Sequence, residues 1–125
     1  MVQRYVLNKI KDDRLRVYLV WLPIRDGDNE AAARNAMQYL VDPRVRHFWV
    51  KDLVLAEGFK KPLGLKEEVA WDVYLLFPRG ATWRSPVPDP VLFMNLGRKE
   101  MPASSTLNGI ELADETRKLL KNSRK

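Results

Sequence analysis

The chain has 125 residues, no cysteine and a formal charge of +6, five charges of which fall in its last nine residues. Without cysteine, this polypeptide can carry out no dithiol redox chemistry and build no disulfide framework or thiolate metal site. Its 46% apolar and 30% charged residues exclude a disordered chain and suit one globular domain with a single core.

Val2, Val6 and Ile10, with Leu7 beside them, recur at helical spacing and predict a short amphipathic helix over residues 2–11, closed by Asp12 and Asp13. Residues 15–24 form a dense β-branched and aromatic run, the pattern of a central strand buried on both faces, with Pro23 tolerated only at its end. Asp26-Gly27-Asp28 is turn chemistry leading into an N-cap, and Ala33, Ala36, Met37 and Leu40 make one face of a helix over residues 29–41, broken by Asp42-Pro43. A second strand at 45–50, reached through that helix, implies parallel pairing with a right-handed crossover. Leu53, Ala56 and Phe59 predict a short helix over 52–59, followed by a loop with Pro62, Gly64, Glu67 and Glu68 and a third strand over 71–77. Pro78-Arg79-Gly80 turns the chain. Pro86, Pro88 and Pro90 forbid sheet-interior pairing, which leaves 91–96 as a short edge strand. Leu107, Ile110, Ala113 and Leu120 mark a C-terminal helix that covers the sheet. The expected fold class is α/β, as a single domain over residues 1–116 with a basic tail over 117–125.

The longest apolar run, residues 17–24, falls far short of the roughly 20 residues of a membrane-spanning helix. Residues 1–10 lack the apolar segment and cleavage site of a secretory leader, so the expectation is a cytoplasmic protein with no membrane partner. Arg117, Lys118, Lys121, Arg124 and Lys125 have no acid among them, and the remainder of the chain is nearly neutral. A terminal cluster of this kind is a solvated end more often than a phosphate-binding stripe, which puts nucleic-acid binding through the tail last among the function classes.

The element order, with the segments Arg16-Val17-Tyr18-Leu19-Val20-Trp21-Leu22-Pro23, Asp42-Pro43-Arg44-Val45-Arg46-His47-Phe48-Trp49 and Ala70-Trp71-Asp72-Val73-Tyr74-Leu75, resembles a bacterial thioredoxin-like group over about residues 2–97. The resemblance implies a thioredoxin-like central sheet flanked by helices, here with its first strand missing. Members carry, ahead of the helix that starts here at Val2, a strand and a turn with Cys-x-x-Cys, placed where the helix N-terminus lowers the attacking thiol's pKa. They also hold a cis-proline before a strand facing that motif; the position falls here at Val69-Ala70, with Pro62 too early and Pro78 after the strand. No catalytic residue therefore carries over. Two accounts fit: a reading frame that continues upstream of Met1, or a family member that has lost its redox half. The unpaired edge left by a missing central strand favours the first. The resemblance thus implies a redox-inactive C-terminal portion of a thiol-disulfide oxidoreductase-like protein, with a non-catalytic scaffold or protein-interaction module as the alternative.

The chemistry-bearing residues add little to this. His47, the single histidine, sits in a strand pattern, and without thiols or a second histidine a transition-metal site lacks ligands, so no metal is expected. Ser85, Ser104, Ser105 and Ser123 have no nucleophile-elbow context. Glu67 and Glu68 read as solvated loop acids, and Asp72, beside Trp71 at a strand's start, as a capping or turn residue. The six glycines are scattered singly and form no phosphate-binding loop, so no nucleotide cofactor is expected. Trp21 and Trp49 are read as core residues, because a base-stacking platform needs an exposed sheet face and central strands covered by helices offer none. Trp83 and Phe93, flanking the loop of prolines, are the candidates for an exposed partner-contact patch, with Trp71 and Asp72 as further candidates.

Overall fold

The computed structural model describes residues 1–65, 69–84, 86–97 and 101–123, with the backbone alone at Ala103. The fold is mixed α/β. A helical turn (Val2–Leu7) precedes β1 (Val17–Trp21), α1 (Glu30–Met37), β2 (Val45–Trp49), α2 (Val54–Gly58), α3 (Lys60–Leu63), β3 (Val73–Leu76) and β4 (Leu92–Asn95); a 3-10 turn (Ala103–Ser105) and α4 (Gly109–Asn122) complete it. The order is the expected one, and most elements are shorter, for local reasons. The N-terminal turn is wide, with the Asn8 N–H bonded to Gln3 O at 2.9 Å, and it stops at Leu7. Beyond it the Leu7 and Ile10 carbonyls accept from the buried Arg44 guanidinium, which replaces helix continuation as their hydrogen-bond partner. In α1, Asn29 is the N-cap, its Oδ1 accepting from Ala32 N–H at 2.8 Å. That helix ends at Met37, and Leu40 O instead meets His47 Nε2 at 2.8 Å. Pro62, expected in a loop, lies in the single turn α3, where a missing N–H costs nothing; Gly64 closes that turn in the left-handed region with φ 70°.

A continuous central sheet was expected, and two separate two-stranded sheets are observed. β1 and β2 pair in parallel through α1, from Val17↔Val45 to Trp21↔Trp49; β3 and β4 pair antiparallel, from Val73↔Asn95 to Leu76↔Leu92. The register shows which backbone groups stay open. Val17 N–H donates to Arg44 O and Trp21 O accepts from Val50 N–H, so Val17, Leu19 and Trp21 face β2 while Tyr18 and Val20 point their backbone groups to the other edge. Asn95 O accepts from Leu107 N–H, on the side away from β3. By antiparallel alternation Tyr74 and Leu76 then bond to β4, and Val73 and Leu75 face an edge with no strand partner among the described residues.

The two sheets are buried unequally. β3–β4 is covered on both faces. Tyr74, Leu92 and Met94 pack with Val6, Ile10, Leu112 and Ala113 under the N-terminal turn and α4, while Val73, Leu75 and Phe93 pack with Phe59, Leu63 and Ala70 from the α2–α3 side. β1–β2 has one protected face, where Trp21 Nε1–H donates to His47 Nδ1 and His47 Nε2 reaches Leu40 O. No residue of β1 is fully buried and Tyr18 is 56% exposed, so the expectation of a strand buried on both faces fails for want of a covering layer. The total exposed surface, 8750 Å², is well above the roughly 6,900 Å² of a compact monomer of this mass.

α4 begins at the N-cap Asn108, whose Oδ1 accepts from Ile110 and Glu111 N–H, and runs on to Asn122. Arg117 and Lys118 therefore stand on a helix, paired with Asp114 and Glu115 three residues earlier. The basic segment expected as a tail is helical through Asn122; Arg124 and Lys125 lie outside the described residues. No described helix is long and apolar enough to cross a membrane.

Candidate functional site

The aromatic cluster at the end of β3 starts from a steric need. Phe59 and Phe77 leave the α2–α3 layer and β3 with flat faces that Trp83, returning after the Pro78-Arg79-Gly80 turn, meets edge-on at 5.2 and 5.5 Å between ring centroids. The indole packs against two rings yet remains 41% exposed. Phe93 borders the same cluster from β4 and is half-buried, with Val87 of the proline-rich loop packed nearby. Trp83 and Phe93 are thus brought to one layer, Trp83 as its exposed member and Phe93 as part of the core.

Trp71 and Asp72 lie elsewhere. They precede β3, whereas Phe77 and Trp83 follow it and Phe93 stands opposite Leu75 within the strand pair. The Trp71 ring carries the Arg25 guanidinium 5.9 Å from its centroid, a cation–π contact between the segment after β1 and the segment before β3. Asp72 is exposed and is the only non-glycine residue with positive φ, 52°, among the described residues. Its role is conformational: a short polar side chain tolerates the left-handed region that starts β3. Its charge acts on Tyr74, whose phenol is pushed up chiefly by burial and further by the Asp72 carboxylate. Asp72→Val is expected to lose roughly 1–2 kcal/mol of stability in urea unfolding while Asp72→Asn stays near wild type. Equal loss in both variants would refute the backbone account.

The other candidates find structural partners. His47 accepts from Trp21 at Nδ1, which places its proton on Nε2 facing Leu40 O. Ser105 Oγ donates to Pro102 O and accepts from Asn95 Nδ2, so its hydroxyl is occupied. Ser85, Glu67 and Glu68 lie outside the described residues. Among the described residues no three His, Asp or Glu side chains converge as metal ligands. Two open clefts, of about 300 and 220 Å³, are lined respectively by Ile10, Asp12, Arg117, Leu120 and Lys121, and by Lys11, Asp13, Asp42, Pro43 and Arg44. Neither lining holds a histidine or a serine, and neither includes the aromatic cluster.

Sequence reasoning missed the outer face of β1–β2. Tyr18, Val20, Arg46 and Phe48 lie on one side of this pair, with Tyr18 and Phe48 rings 6.1 Å apart. The signal was weak: period two puts Arg46 and Phe48 on one face, but polar and apolar residues do not alternate along Arg46-His47-Phe48-Trp49, and in β1 apolar residues occupy both faces.

Fold and site together define a mixed α/β protein with two small sheets, a buttressed surface tryptophan and an uncovered sheet face. No protein-family model, no curated protein and no solved structure matches the chain.

Proposed function

We propose that the chain is a redox-inactive thioredoxin-like unit of the cytoplasm, the C-terminal portion of a thiol-disulfide oxidoreductase-like protein. The divided sheet carries this reading. A parallel β–α–β pair whose β1 edge, and an antiparallel pair whose β3 edge, has no backbone partner among the described residues are the strands expected to remain when one central strand is taken from a mixed sheet of that kind. The excess exposed surface supports it, since removing a central strand leaves two strand edges and the apolar surface beside them uncovered. In this proposal Arg25 and Trp71 hold the β1 and β3 ends near one another across the vacant strand position.

The test is made on DNA and then on protein. An in-frame continuation upstream of the Met1 codon, encoding a strand and Cys-x-x-Cys, is expected; a stop codon directly upstream would overturn the reading. The product extended by that segment should reduce insulin disulfides, and the Tyr18, Val20, Val73 and Leu75 amides, expected to exchange freely in the 125-residue chain because they have no backbone partner among the described residues, should become protected.

Trp83 favours a second reading, a non-catalytic protein-interaction module, because the buried Phe59 ring and the partly buried Phe77 ring pack against it while much of its surface faces solvent. Free exchange at those four amides in the extended product, without disulfide reductase activity, would select this alternative.

A further inference from the structure

The outer face of β1–β2 has a composition that packing alone does not account for. Directly opposed residues of a parallel pair share a face, so Tyr18 stands beside Arg46 and Val20 beside Phe48. The Tyr18 and Phe48 rings sit diagonally, 6.1 Å apart and tilted by 38°, and are 56% and 46% exposed. Arg46 is exposed and has no hydrogen-bond or ion-pair partner among the described residues. Arg16 extends the same alternation ahead of β1; it is exposed, with its Nη1 turned onto the Asp13 and Leu15 carbonyls. By the same alternation, positions 16, 18, 20, 46 and 48 carry two cations, two aromatic rings and one valine, and no acid. α1 and His47 occupy the opposite face, so no described element covers this one.

We propose that this face binds single-stranded nucleic acid, with bases stacked on Tyr18 and Phe48 and the phosphate backbone held by Arg46 and Arg16. Aromatic rings standing on an open sheet offer π-faces to any base, and interleaved arginines neutralise the phosphates that connect those bases. An acidic peptide would use the arginines and leave both ring faces without a planar partner. A duplex keeps its bases stacked on one another and has none to offer. The site is distinct from the basic segment of α4, whose Arg117 and Lys118 are already paired with acids. It is also independent of the open strand edges, which present backbone groups instead of ring faces.

The test is fluorescence anisotropy of the 125-residue chain with labelled oligo-U and oligo-dT of about 12 nucleotides, within the site sizes such platforms occupy. Tyr18→Ala and Phe48→Ala should each weaken binding on the order of 5- to 150-fold, whereas Tyr18→Phe keeps it. Arg46→Ala should lower the slope of log affinity against log salt by roughly 0.7. These side chains are exposed, and unchanged far-UV circular dichroism of each variant would show that the fold is kept. The proposal is overturned by absence of binding, by wild-type binding in the Tyr18→Ala/Phe48→Ala double variant, or by equal affinity for a duplex of the same length. It is equally overturned if binding disappears only on deletion of residues 117–125, or if an oligoglutamate of equal charge competes as well as the oligonucleotide.

Discussion

Arg44→Met is expected to destabilise the protein by about 3 kcal/mol, a large fraction of the stability of a domain this size. The guanidinium forks onto Asp42 through Nε and Nη2, each at 2.9 Å, and its nitrogens also donate to the carbonyls of Leu7 and Ile10. One side chain thus ties the N-terminal turn to the start of β2, and that turn supplies Val6 and Ile10 to the core under α4. Methionine would fill similar volume but leave two carbonyls without their donor and Asp42 with only the backbone N–H of position 44, and removing one member of a buried pair costs more than the pair contributes. Arg44→Lys should rescue little, since a point charge cannot reproduce the fork. Urea unfolding of both variants checks this; a loss below about 1 kcal/mol in Arg44→Met would show that the clasp is a surface pair in effect.

The same contact sets an acid limit. Hydrogen bonds from the Arg44 side chain, then from its backbone N–H, hold the Asp42 carboxyl down from 3.8 to about 2. Because the folded value lies below the unfolded one, the contribution is fully present above about pH 4 and is lost as pH falls through 2. Stability should therefore decline over pH 4–2 in the wild type, and this part of the slope should be flatter in Arg44→Met.

Gly109→Ala is expected to destabilise by about 1–3 kcal/mol, although alanine is the better helix former. A Cβ at Gly109 would stand 2.5 Å from Tyr5 Cδ2 and 2.6 Å from Tyr5 Cγ. The absent side chain at the start of α4 is what lets the Tyr5 ring lie against the helix, and the N-terminal turn and α4 pack against one another. A double-mutant cycle separates this from any local effect at the helix start: in a Tyr5→Ala background the same substitution should become neutral or slightly stabilising. An unchanged penalty in that background would sink the steric account.

The candidate site was legible in part. Trp83 beside a proline-rich loop was recognisable as an exposed aromatic, because prolines prevent the loop from burying it in a sheet. Its buttresses Phe59 and Phe77 were not, since Phe59 comes from a helix–helix junction distant in the chain and Phe77 meets the indole only because the Pro78-Arg79-Gly80 turn brings it back.

From the sequence alone follow the absence of thiol chemistry, the element order and the parallel pairing of β1 with β2. Cysteine content is a matter of composition, and hydrophobic period, proline placement and the intervening helix act locally. Only the tertiary structure decided that the strands form two sheets, that β3–β4 is covered on both faces and β1–β2 on one, and that Arg44 reaches back to the N-terminal turn. Those outcomes depend on which surfaces find partners across more than 30 residues of chain, as Arg44 does with Leu7. An apolar run such as residues 17–21 reads the same whether a further layer covers it or solvent does.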